Sequence, residues 1–89
     1  MNNLTQNKTF GVILVDNIPP QTTDSQLQNY FAEIKDVSAI QFIDGEDADL
    51  QRSCWIVVAK PAETVNLINV STIAGKNPRA RLMGYLYTS

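Results

Sequence analysis

The hydrophobic and polar positions divide the chain into six elements. Phe10 to Val15 is an apolar, β-branched run closed by Asp16-Asn17 and the Pro19-Pro20 pair, which predicts a buried strand followed by a loop. Leu27, Tyr30, Phe31 and Ile34 then recur at i, i+3, i+4 and i+7, the period of an amphipathic helix from about Asp24 to Lys35. Thr23 and Gln26 before it have the spacing of a capping box, and Asp24 sits where the helix dipole favours an acid. Val37 to Ile43 predicts a second strand, and Asp44-Gly45 opens a loop dense in acid. Cys54 to Ala59 is apolar throughout, as a central strand would be. Pro61 suits the first turn of a second helix, with Ala62, Val65 and Ile68 on one short apolar face. Gly75 and Pro78 mark a loop before a last strand from about Ala80 to Tyr87.

Residues 1–8 are polar and predict a disordered tail, leaving one domain over 9–88. The order β-α-β-β-α-β predicts the α+β, ferredoxin-like sandwich: a four-stranded antiparallel sheet with two helices on one face.

Composition narrows the chemistry. The chain has no histidine and a single cysteine, Cys54. Histidine-dependent triads, an internal disulfide and multi-cysteine metal sites are therefore excluded. Residues 1–50 hold two bases against eight acids, and residues 51–89 five bases against one acid, within a net charge of −2. Bulk positive charge is not how such a chain would hold nucleic acid. The N-terminal stretch lacks the apolar core of a signal peptide, and no apolar run is long enough for a bilayer. The expectation is an intracellular domain, nuclear or cytoplasmic with the nucleus favoured, monomeric, without cofactor, metal or membrane partner. Asp44, Asp47 and Asp49 lack the residue order of a calcium-binding loop, and Cys54 in mid-strand reads as a structural thiol. No enzyme activity is expected.

Over residues 10–87 the chain resembles an RNA-recognition motif. Ile13-Leu14-Val15-Asp16-Asn17-Ile18 follows that family's first-strand motif, and Thr23, Leu27 and Phe31 follow its first-helix pattern. The third-strand motif K/R-G-F/Y-G/A-F-V-x-F/Y aligns with Arg52-Ser53-Cys54-Trp55-Ile56-Val57-Val58-Ala59, in which Arg52 and Val57 match. The family's base-stacking positions hold Leu14, Cys54 and Ile56, so the three usual aromatic platforms are missing. In this register Trp55 points toward the helices. A one-residue slip or bulge would bring it to the open face instead. Tyr85 and Tyr87 offer either a further stacking surface or ordinary packing.

The resemblance implies the sheet order 4-1-3-2, with Lys76, Arg79 and Arg81 near the fourth-strand edge and Asp44, Glu46, Asp47 and Asp49 near the opposite side. Phosphate would be repelled by those acids and drawn to Arg79, Arg81 and Arg52. Two functions are therefore expected of one surface. The first is weak, atypical binding of single-stranded RNA within a larger RNA-processing or RNA-regulatory protein. The second is protein–protein interaction through an aliphatic sheet face of Leu14, Cys54 and Ile56, with Val12 and Val58. A ferredoxin-like small-molecule regulatory domain is a third class, for which no residue speaks. The candidate binding residues are Leu14, Asn17, Arg52, Cys54, Trp55, Ile56, Lys76, Arg79, Arg81, Tyr85 and Tyr87.

Overall fold

The computed structural model describes residues 8–43 and 52–88. The acidic residues Asp44, Glu46, Asp47 and Asp49, and the polar tail up to residue 7, lie outside them. Six elements follow one another: β1 (Lys8–Ile18), α1 (Asp24–Ala32), β2 (Val37–Ile43), β3 (Arg52–Val58), α2 (Pro61–Asn69) and β4 (Arg79–Thr88). The strands form one sheet in the order β2-β3-β1-β4, antiparallel at every junction. The architecture is α+β, a four-stranded antiparallel sheet with two helices, compatible with a ferredoxin-like plan.

Helix α1 begins where its capping box predicts. The Thr23 hydroxyl accepts from the Gln26 amide at 3.1 Å, while the Gln26 side chain accepts from the Thr23 amide at 2.8 Å. Its end falls at Ala32, three residues before Lys35. There the amides of Glu33 and Ile34 donate to carbonyls three residues back, at Tyr30 and Phe31. This tightens the last turn, and Asp36 at φ 70° turns the chain away into β2.

One core forms between the helices and the inner sheet face. Leu27, Phe31 and Ile34 reach it from the α1 side and Ile68 from α2; Ile13, Val15 and Ile18 reach it from β1, and Cys54, Ile56 and Val58 from β3. Gly11 admits α2 to the sheet, since a Cβ there would lie 2.3 Å from Pro61 Cβ. Strand β1 runs on past Asp16-Asn17, where the sequence closed it. A register shift between Val15 and Ile18, with Asn17 at φ 64°, lets the strand bulge and return Ile18 to the core.

The inner position of Cys54, Ile56 and Val58 reverses the face expected of them. All three are fully buried. Ser53, Trp55 and Val57 are the β3 residues that point away from the core. The reason lies in volume: β3 is apolar on both faces, so periodicity does not choose between them, and a close-packed core accepts thiol and branched aliphatic side chains more readily than an indole.

Candidate nucleic-acid interface

Cross-strand partners share a face, so the register of the sheet defines the open surface row by row. One row reads Gln41, Trp55, Leu14, Arg81 from β2 to β4, and the next reads Ala39, Val57, Val12, Gly84. Trp55 is partly buried at the centre of the first row, against Leu14 on one side and Gln41 on the other. Around it lies a shallow depression of about 370 Å³ lined by Val12, Ala39, Ile40, Gln41, Trp55, Val57 and Leu86. Adding a Cβ to Gly84 would meet nothing within 4 Å, so the β4 end of the second row is open.

Charge enters this surface from β4. Arg79 Nε lies 3.1 Å from one carboxylate oxygen of Asp16, and Arg81 Nη2 lies 3.2 Å from the other. Both arginine side chains are more than half exposed, at 65% and 52%. Two cations thus share one anion at the edge of the open face, the Asp16 carboxylate largely enclosed at 16% exposure and the two guanidiniums turned partly to solvent.

Arg52 belongs elsewhere. It shares the inner parity of Cys54 and Ile56, so its guanidinium turns to the helix side. It donates to the Thr22 carbonyl at 2.6 Å and pairs with Asp24 at 2.5 Å. It also lies over the Phe42 ring, 5.6 Å from its centroid. The residue expected to meet phosphate instead ties the start of β3 to the first turn of α1.

Asn17 likewise holds the fold together: its side-chain amide donates to the Asn77 carbonyl at 2.8 Å. Asn77 in turn donates to the carbonyls of Asn69 and Ser71. The Asn69 side chain brackets Ala80, accepting from its amide at 2.8 Å and donating to its carbonyl at 3.2 Å. These asparagines fix the entry of β4 beside the end of β1. Lys76 closes a turn with Ile73 through reciprocal backbone hydrogen bonds, away from the Trp55 row.

Tyr85 and Tyr87 pair with Gly11 and Thr9. Gly11 faces Pro61, so both tyrosines project from the helix side of the sheet. They are 52% and 78% exposed, but they do not share the open face with Trp55. Strand alternation alone would have placed them correctly had the extra residue between Leu82 and Gly84 been foreseeable.

Cys54, next to Trp55 on β3, is buried on the inner face of the sheet, and that burial pushes its thiol up to about 12, with Arg52 opposing. Such a sulfur stays protonated and unreactive near neutrality. Among the described residues no group of three or more acids and cysteines is placed to hold a metal ion, and no helix is long and apolar enough to cross a membrane.

The residues that sequence reasoning missed are Gln41 and Ala39 on β2, Val57 on β3 and Leu86 on β4. Their place beside Trp55 depends on pairing between strands distant in the chain. No known family model matches the chain, and no curated protein matches it.

Proposed function

We propose that the chain is a non-catalytic binding module of RNA-recognition-motif type on a ferredoxin-like fold, with both helices on one sheet face and the other face open. It holds single-stranded RNA weakly across that open face, as part of a larger RNA-processing or RNA-regulatory protein in the nucleus or cytoplasm. The observation that carries this reading is Trp55, set on the open face with the Gln41 amide beside it and Arg81 in the same row. A base stacked on the indole contributes about 1–3 kcal/mol whatever its identity. The Gln41 side chain offers one donor and one acceptor to the edge of that base. Arg79 and Arg81, more than half exposed, reach phosphate at the β4 edge with the guanidinium N–H groups that Asp16 does not engage. One stacking platform in place of three keeps the affinity low, and two phosphate contacts give a shallow salt dependence, with a slope of about −1.4 in log–log form.

Trp55 is the only tryptophan in the chain, so its fluorescence reports directly on stacking. Titration with a degenerate single-stranded RNA pool at low salt is expected to quench it. Trp55→Ala should lower the affinity roughly 5- to 150-fold while the fold is retained. Emission unchanged at millimolar RNA would contradict the proposal.

A second reading rests on the aliphatic neighbours of Trp55. Val12, Leu14 and Val57 form a continuous apolar strip with Leu86 at its rim, the kind of surface that docks a protein. On this reading Leu14→Glu and Val57→Glu abolish partner capture without unfolding the domain. Ile56, inside the core, is not a usable probe. Recovery of the same partners by both variants would reject it.

A further inference from the structure

Strand β4 is one edge of the sheet, and the large hydrophobic side chains exposed on the molecule concentrate there: Leu82, Met83, Tyr85, Leu86 and Tyr87. An edge strand presents a row of backbone donors and acceptors open to another strand, and proteins usually blunt such edges with charge or bulges. Here both devices fall in the first half of β4. Arg79 and Arg81 carry its charge, and the register shift against β1 lies at Met83. Gly84 to Thr88 carries no charge and pairs with β1 without a register shift.

We propose that Gly84 to Thr88 pairs antiparallel with the same segment of a second copy of this chain, joining two sheets into one of eight strands. Three features select a second copy as the occupant. Antiparallel pairing centred on Leu86 sets Tyr85 of each copy against Tyr87 of the other, twice, on one face. It sets Leu86 against Leu86 on the opposite face. Aromatic side chains directly opposite one another across a pair of strands stabilise the pairing. No charged residue lies within the paired segment 84–88, and Arg79 and Arg81 fall outside it. The alternative self-pairing, through the first half of β4, would centre on Arg81 against Arg81.

Pairing about a two-fold axis uses the same patch on both copies and closes at the dimer. The contact is short, well below the area of a stable complex, so association is weak and reversible. It departs from the monomer expected of the sequence. The axis stands perpendicular to the joined sheet, so both open faces look the same way. The two Trp55 residues then lie five strand spacings apart across the sheet and four residues from the axis in opposite directions along it, roughly 36 Å apart.

The test is sedimentation equilibrium of the whole chain from about 10 µM to 1 mM. The weight-average mass is expected to rise from 9.9 kDa toward twice that value. Leu86→Lys, which sets lysine on lysine at the axis, should hold the mass at the monomer value, while Leu86→Val should keep the dimer. Circular dichroism checks that each variant is folded. Should Leu86→Lys unfold, the dilution dependence of the wild-type amide spectrum decides the matter. Shifts clustered on 84–88 support the pairing; shifts elsewhere overturn it. A mass constant at 9.9 kDa over the whole range overturns it too, as does a dimer that survives Leu86→Lys. Growth beyond the dimer would mean open-ended stacking and would equally overturn the closed pair.

Discussion

Arg52 shows how one residue can match a family motif and serve a different purpose. Its guanidinium is largely enclosed, at 15% exposure, and is bonded to the Thr22 carbonyl and the Asp24 carboxylate. Asp24 is itself 61% exposed, so solvent screens much of the ion pair, and the carbonyl contact carries more of the stabilisation. Arg52→Ala should therefore cost about 1 kcal/mol of folding stability, read from denaturant midpoints. It should leave the salt slope of RNA binding unchanged. A flatter slope in that variant would return Arg52 to the binding surface. Asn17 teaches the same lesson: a motif residue at positive φ is engaged by the backbone of Asn77, sixty positions away. Neither role was legible in the sequence, because each depends on a partner that only the folded chain brings near.

At the scale of elements, patterning was most informative where one face alone is apolar. The i, i+3, i+4, i+7 series and the Thr23–Gln26 pair located α1 and its start, and four strands and two helices are present. Strand β3 was legible as a strand but not in its facing. Apolar side chains occupy both of its faces, and a slip of one residue exchanges Cys54, Ile56 and Val58 for Trp55 and Val57. The bulges in β1 and β4 were also invisible, and the second of them moved Tyr85 and Tyr87 to the helix side. Gly11 lies unmarked within the apolar run from Phe10 to Val15, yet it is where α2 meets the sheet. Gly11→Ala would bring a methyl group within 2.3 Å of Pro61 Cβ. The expected loss is about 1–3 kcal/mol, as in other overpacked sites, measured as a fall in melting temperature. A melting temperature equal to wild type would contradict the contact.

At the scale of the whole molecule, the core governs alkaline stability, and the open face is the surface proposed to bind. Cys54 in the fold is raised from 9.0 to about 12, chiefly by burial, and Tyr30 is also raised from 10.0, again chiefly by burial. In the unfolded chain both lose protons sooner than in the folded one. These groups leave stability unaffected below about pH 9; it then falls as pH climbs from 9 toward 12. Replacing Cys54 with Ala should remove part of that alkaline slope, even though the cavity lowers stability at every pH. A slope unchanged by the substitution would contradict the buried thiol.

The open face is where the functional account stands or falls. The most direct test is an amide NMR titration of the labelled chain with a short degenerate single-stranded RNA pool at low salt. Shifts are expected on Gln41, Trp55, Leu14 and Val57, extending to Arg79 and Arg81, with Arg52 and the Asn17–Asn77 contact unmoved. The shifts should also weaken with salt along the shallow slope that two phosphate contacts impose. A spectrum that does not move at millimolar protein and RNA, or one that moves only on the helix side, would contradict the proposed binding.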